Sequence, residues 1–147
     1  MQRPAPEKHR ISIPEILLTL IVGAALIGGA YVVYKLAMRD KKVDAAIAQI
    51  DEIRQLDFTA SDGNLLNPWE GKIYSEHVDN TLRITLEGIP PQSCQMLALH
   101  YTPVDTGFVK SIVGGTTFGE GFEELKAETV TAACTASETT ILTWVFK

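Results

Sequence analysis

Positive charge is scarce over most of this chain. Residues 43–147 hold six Lys or Arg against fifteen Asp or Glu, a net of −9 within a whole-chain net of −5. A surface of that sign does not hold a phosphate backbone through bulk electrostatics, which argues against nucleic acid as a partner. Histidine is sparse as well. His9, His77 and His100 lie far apart, and none is placed by the sequence beside a Ser or Cys with a third orienting group. There is no Cys-x-x-Cys, no His-rich stretch and no Asp-rich calcium loop. Gly114-Gly115-Thr116-Thr117-Phe118-Gly119 lacks the lysine and the spacing of a phosphate loop. The sequence therefore implies no metal and no cofactor, and it speaks against an enzyme.

What the chain does have is one long apolar run. From Ile16 to Tyr34 no residue is charged, and Glu15 stands immediately before it. A helix of that length rises roughly 28 Å, close to the hydrocarbon thickness of a bilayer. The run is too long and too uniformly apolar for a surface helix of a small domain, so it reads as a membrane segment. Arg3, Lys8 and Arg10 precede it, and Lys35, Arg39, Lys41 and Lys42 follow. These basic residues sit where lipid headgroups would be, but their near balance does not orient the anchor.

The helical pattern continues past the run. Val43, Ala46, Ile47, Ile50, Ile53 and Leu56 recur at helical spacing, with Asp44, Asp51, Glu52 and Arg54 between them. One helix is predicted from about 13 to 56, apolar all round in its first half and amphipathic in its second. Beyond Asp57, turn and strand signals take over. Ser61-Asp62-Gly63-Asn64 and Asn67-Pro68 read as loop chemistry. Lys72–Val78 and Thr81–Glu87 read as a hairpin about Asp79-Asn80, ended by Gly88 and Pro90-Pro91. A short helix is expected over Gln92–Tyr101, a strand over Phe108–Val113, a surface loop over 114–122 and a short helix around Cys134. Thr139–Phe146 reads as a central strand, with Ile141, Thr143 and Val145 on one face and Leu142, Trp144 and Phe146 on the other. Trp69 is expected to pack on its own domain rather than to serve as a surface contact.

The fold class is therefore α+β: a long N-terminal helix whose amphipathic half packs on a mostly antiparallel sheet. The chain divides into a leader (1–10), a membrane segment (11–38), an amphipathic continuation (39–57) and an outer domain (58–147). Two cysteines, Cys94 and Cys134, lie in the outer domain. They form either a disulfide, which places that domain in an oxidising compartment and the leader in the cytoplasm, or two buried free thiols. As a disulfide, a loop of about 40 residues contributes roughly 4 kcal/mol in the chain-entropy model.

Ser12-Ile13-Pro14-Glu15 has two compatible readings. Locally it is a capping box, with Ser12 as N-cap, Glu15 reaching back and Pro14 in the first turn, where its missing N–H costs nothing. A carboxylate at the bilayer edge is also costly unless paired. A cut before Ile11 creates an α-amino group, and helices staggered along an axis can pair Ile11 of one with Glu15 of the next.

A short charged leader followed by an apolar helix with glutamate at the fifth mature position resembles a type IV prepilin, with Ile11 through Leu20 as the mature start. The outer domain is similar to the type IVb, PilS-like pilins of conjugative thin pili and related secretion systems. Asn67-Pro68-Trp69-Glu70-Gly71 resembles their Asn-Pro-Trp-Gly-Gly turn, and Gly88-Ile89-Pro90-Pro91-Gln92-Ser93-Cys94 their Gly-Val-Pro-x-x-x-Cys helix entry. Ala132-Ala133-Cys134 with an aromatic strand after it resembles their second cysteine and closing strand. The likeness departs in two places: Arg10 stands where the family has glycine before the cut, and Pro14 is unusual at the fourth mature position. Cleavage after Arg10, cleavage elsewhere and no cleavage are the three consequences open to this leader.

The resemblance implies a filament subunit that waits in the inner membrane, N-terminus inside, and is then extracted into an extracellular pilus. Its implied partners are other copies of itself, a prepilin peptidase, an inner-membrane assembly platform with its ATPase and, before assembly, lipid. Ile11, Pro14 and Glu15 are the expected assembly residues, and Gly23, Ala24, Ala25, Gly28 and Gly29 the helix-packing ones. The pairs Ala24/Gly28 and Ala25/Gly29 have small-x-x-x-small spacing, although Gly and Ala are also simply common in membrane helices. The helix is expected to extend locally near Gly28-Gly29 when a filament forms, because glycine weakens it. Three other readings share much of this pattern: a minor pilin or pseudopilin of a secretion or conjugation system, a non-polymerising single-pass binding protein, and a secreted protein cut near Gly28-Gly29-Ala30.

Overall fold

A computed structural model describes residues 13–105 and 107–147, with side chains described throughout except at Glu15 and 35–40. The leader, Arg10, Ile11 and Ser12 lie outside the described residues. The chain forms two compact units, 1–38 and 39–147. Helix α1 (Ile13–Leu56) contributes to both. In the first unit its apolar residues stay exposed. In the second, Val43, Ala46, Ile50 and Ile53 form a buried stripe at the 3–4 residue spacing that one helix face requires.

The end of α1 is set by a cap. Asp57 takes a left-handed conformation with φ 49°, and Phe58 N–H donates to the Ile53 carbonyl at 3.1 Å. That six-to-one bond satisfies a carbonyl the helix would otherwise leave open. The chain then enters β1 (Ala60–Leu66), pinned by buried Ser75. Its hydroxyl donates to Phe58 O at 2.6 Å and accepts from Ala60 N–H at 2.8 Å.

Six strands make one antiparallel sheet: β1, β2 (Lys72–Val78), β3 (Thr81–Ile89), β4 (Phe108–Val113), β5 (Thr116–Gly119) and β6 (Thr140–Phe146), in the order β1-β2-β3-β6-β4-β5. Helices α2 (Pro91–Ala98) and α3 (Ala127–Thr135) complete the α+β unit. The last strand is central, flanked by β3 and β4. Its two faces differ, however. Leu142, Trp144 and Phe146 join Ile73, Ile84, Leu86, the buried stripe of α1 and Cys94, Leu97 and Ala98 of α2 in one apolar cluster. On the other face Val145 and Thr143 are covered, Thr143 meeting Thr85 hydroxyl to hydroxyl at 3.0 Å, while Ile141 is exposed.

Four local expectations are corrected. Residues 61–64 belong to a strand rather than a loop, with register lost between Ala60 and Leu65, so turn-forming residues occupy an irregular edge strand. The stretch 114–122 contains β5, which pairs with β4 through Val113↔Thr116 to Lys110↔Gly119. Strand β3 continues past Gly88 to Ile89 through a shift in register after Leu86, and Gly88 takes φ 71° there. Helix α2 is shorter than Gln92–Tyr101: it begins with Pro91, whose fixed φ suits a first helical position, and leaves Tyr101 in the turn beyond.

Candidate functional site

The feature with the clearest chemical demand is the first part of α1. Ile16–Tyr34 is a 19-residue span of mean hydropathy 2.4, none of it buried within the chain. Leu18, Leu20, Leu26, Ile27 and Val33 are all exposed. At Gly23, Gly28 and Gly29 nothing lies within 4 Å of the point where a Cβ would stand. Their backbone is therefore open to the approach of another helix. Ala24 and Ala25 are likewise exposed, as is Pro14 in the first turn. The helix runs unbroken through Gly28-Gly29 in the single chain; the expected extension there concerns the filament. Of the expected pairing at the bilayer edge, Ile11 and the Glu15 side chain lie outside the described residues.

In the second unit the cysteines are joined. Cys94 and Cys134 form a disulfide across 40 residues, linking α2 to α3 within the apolar cluster. The Asn67-Pro68-Trp69-Glu70-Gly71 turn is a second fixed point. The Asn67 side-chain oxygen accepts from Trp69 N–H at 2.9 Å and Gly71 N–H at 3.1 Å, and its amide donates to the Glu87 carbonyl at 2.7 Å. Trp69 is partly buried and packs against the core. Gly71 is required here, since a Cβ at that position would stand 1.8 Å from Glu87 O. Glu70 beside it has φ 65°, a left-handed conformation with a side chain attached.

Around the end of α1, polar groups gather that the sequence pattern did not announce. Arg54 lies with its guanidinium carbon 4.1 Å from the Phe146 ring centroid and 5.5 Å from that of Tyr101, and it pairs with Asp51 at 3.5 Å. Tyr101 O–H donates to Asp51 at 2.9 Å. Burial and that acceptor together raise the Tyr101 pKa well above its ordinary value, so the phenol stays protonated. His77 Nε2 is 2.8 Å from Asp57 Oδ1. Asp51, Arg54, Asp57, His77 and Phe146 border a cleft of about 630 Å³ lined also by Gln55, Asn80, Leu82 and Lys147. The signal available in the sequence was the amphipathic spacing of Asp51 and Arg54 alone; the strand residues His77 and Phe146 lie 23 and 92 positions beyond Arg54.

Chemically this cluster is one Arg–Asp ion pair, hydrogen-bonded side chains and rings packed edge to face. His100 packs edge-on against Tyr101 at 4.8 Å, apart from the His77 pair. Among the described residues, no group of three or more His, Cys, Asp or Glu stands where a metal ion would be held. The arrangement braces α1 against the sheet, and it places no nucleophile beside a base.

The family model described as PilS N terminal matches residues 35–147, well over half of the sequence. No curated protein matches the chain.

Proposed function

The chain belongs to the PilS family of type IVb pilins, a family of structural proteins, and we propose that it polymerises into a helical filament through the N-terminal part of α1. The observation that carries this reading is the bare apolar span Ile16–Tyr34, which none of the described residues covers. In the membrane that demand is met by lipid. In a filament it is met by the same span of other copies, with Gly23, Ala24, Ala25, Gly28 and Gly29 allowing close approach. The disulfide favours an oxidising location for the unit 39–147, with the leader on the cytoplasmic side.

Glu15 at the edge of the span is the residue that sets register, through the α-amino group of Ile11 in a neighbouring subunit. That role needs a cut between Arg10 and Ile11 by a prepilin peptidase that accepts arginine before the bond. An assembly platform and its ATPase then supply the work of extraction from lipid. The test is the intact mass of the mature subunit together with Glu15→Ala in the full chain. A mature start at Ile11, and loss of filaments with normal membrane insertion in Glu15→Ala, are the expected results. A subunit that keeps Met1 and assembles normally with alanine at 15 refutes the pairing.

A further inference from the structure

The unit 39–147 carries one apolar concavity and one apolar projection on opposite edges of its sheet. The concavity is a groove of about 230 Å³ between the end of α1 and the edge strand β1, lined by Gln49, Glu52, Ile53, Leu56, Phe58 and Leu65. Leu56 and Phe58 are 68% and 51% exposed there. Gln49 Nε2 donates to Leu66 O, which leaves Gln49 Oε1 buried without a partner. The projection follows β5 at the other edge. Phe122 N–H donates to Gly119 O at 3.0 Å and Gly119 N–H to Glu123 O at 3.1 Å, closing a tight loop that holds Phe122 56% exposed. Lys110 Nζ lies 5.2 Å from its ring centroid.

We infer that the groove beside β1 receives Phe122 of a second copy of this chain, an edge-to-edge contact between neighbouring subunits. An apolar cavity of about 150 Å³ holds a benzene ring, so the groove has room for one phenyl group. Two different patches on opposite edges make a heterologous contact, and repeated heterologous contacts build an open helical array. The contact rests on the filament reading above and deepens it, since it joins the outer domains rather than the membrane helices. Glu120 and Glu123 flank Phe122, and Glu52 borders the groove, so apolar burial carries the contact while Lys110 offsets part of the like charge. Val104 is more exposed, at 93%, but it stands in the loop before β4 and is too small to fill the groove.

The test uses the full chain in cells that assemble the filament. Leu56→Cys combined with Phe122→Cys is expected to give a ladder of disulfide-linked multimers on oxidation, with neither single variant giving any. Filaments that form without a ladder overturn the inference. Dimers from a single variant also overturn it, since like edges would then meet, as does a ladder that appears with Val104→Cys in place of Phe122→Cys. If the double variant does not fold, a photoreactive benzoylphenylalanine at position 122 gives the same information. Adducts within residues 49–65 of another subunit support the contact, and adducts only elsewhere overturn it. Failure of the unmodified chain to form any filament strikes the assembly reading itself, and this contact falls with it.

Discussion

Two stretches of the same helix meet opposite fates. Ile16–Tyr34 leaves its large apolar side chains uncovered, whereas Val43, Ala46, Ile50 and Ile53 lie buried in the second unit. The difference is one of pattern rather than of apolar content. A helix that is apolar all round has no face a single small sheet can satisfy, so its partner must come from outside the chain. A helix with one apolar stripe is satisfied by its own domain. Along one element, residues near 50 are held by the subunit's own core, and residues near 25 are left exposed.

The strongest way to break the comparison is to remove the disulfide. Cys94→Ser with Cys134→Ser is expected to destabilise the unit 39–147 by about 4 kcal/mol in the chain-entropy model, read by denaturant unfolding, while membrane insertion of Ile16–Tyr34 is unchanged. Matched truncations sharpen it next. Ile50→Ala should cost about 3 kcal/mol of subunit stability because it empties a filled core position. Ile27→Ala should leave unfolding of the detergent-held subunit almost unmoved and show its effect only in filament yield. Equal stability losses from the two would end the division drawn here.

Smaller effects test the second unit's own construction. Glu70 occupies a left-handed conformation in the Asn67 turn, so Glu70→Gly is expected to raise stability by about 1 kcal/mol, measured as a higher melting midpoint. The smallest concerns Asp105. Its carboxylate accepts from the Thr102 N–H, which holds its pKa below the ordinary carboxylate value. A depressed folded pKa stabilises above the unfolded value, near about 3.9, and that contribution disappears as pH falls through the folded one. Asp105→Asn should therefore be slightly less stable than the parent at pH 7 and equal to it in strong acid. Both variants leave α1 untouched and should not change insertion.

Much of this was legible from residues alone, because the signals were local. The length and uniformity of Ile16–Tyr34, the stripe from Val43 to Ile53 and the alternation in Thr81–Glu87 each state their element without reference to distant parts of the chain. Strands β1 and β5 were not legible. Ser61-Asp62-Gly63-Asn64 and the glycines around 114–119 have turn composition, and only the hydrogen bonds offered by β2 and β4 draw them into the sheet. The Arg54–Tyr101–Phe146 cluster was hidden for a similar reason, since its members are brought together by the register of β6 beside β3 and by α2.

The sequence by itself determined that Ile16–Tyr34 is apolar on every side and long enough to cross a membrane, because both follow from length and composition alone. It also determined the α+β class and the buried face of α1, since both follow from periodicity. Only the tertiary structure decided where the sheet ends and what stands at each end. Edge position depends on which strands find partners, a long-range choice that local composition does not encode. That choice put the groove of Leu56 and Phe58 at one edge and Phe122 at the other.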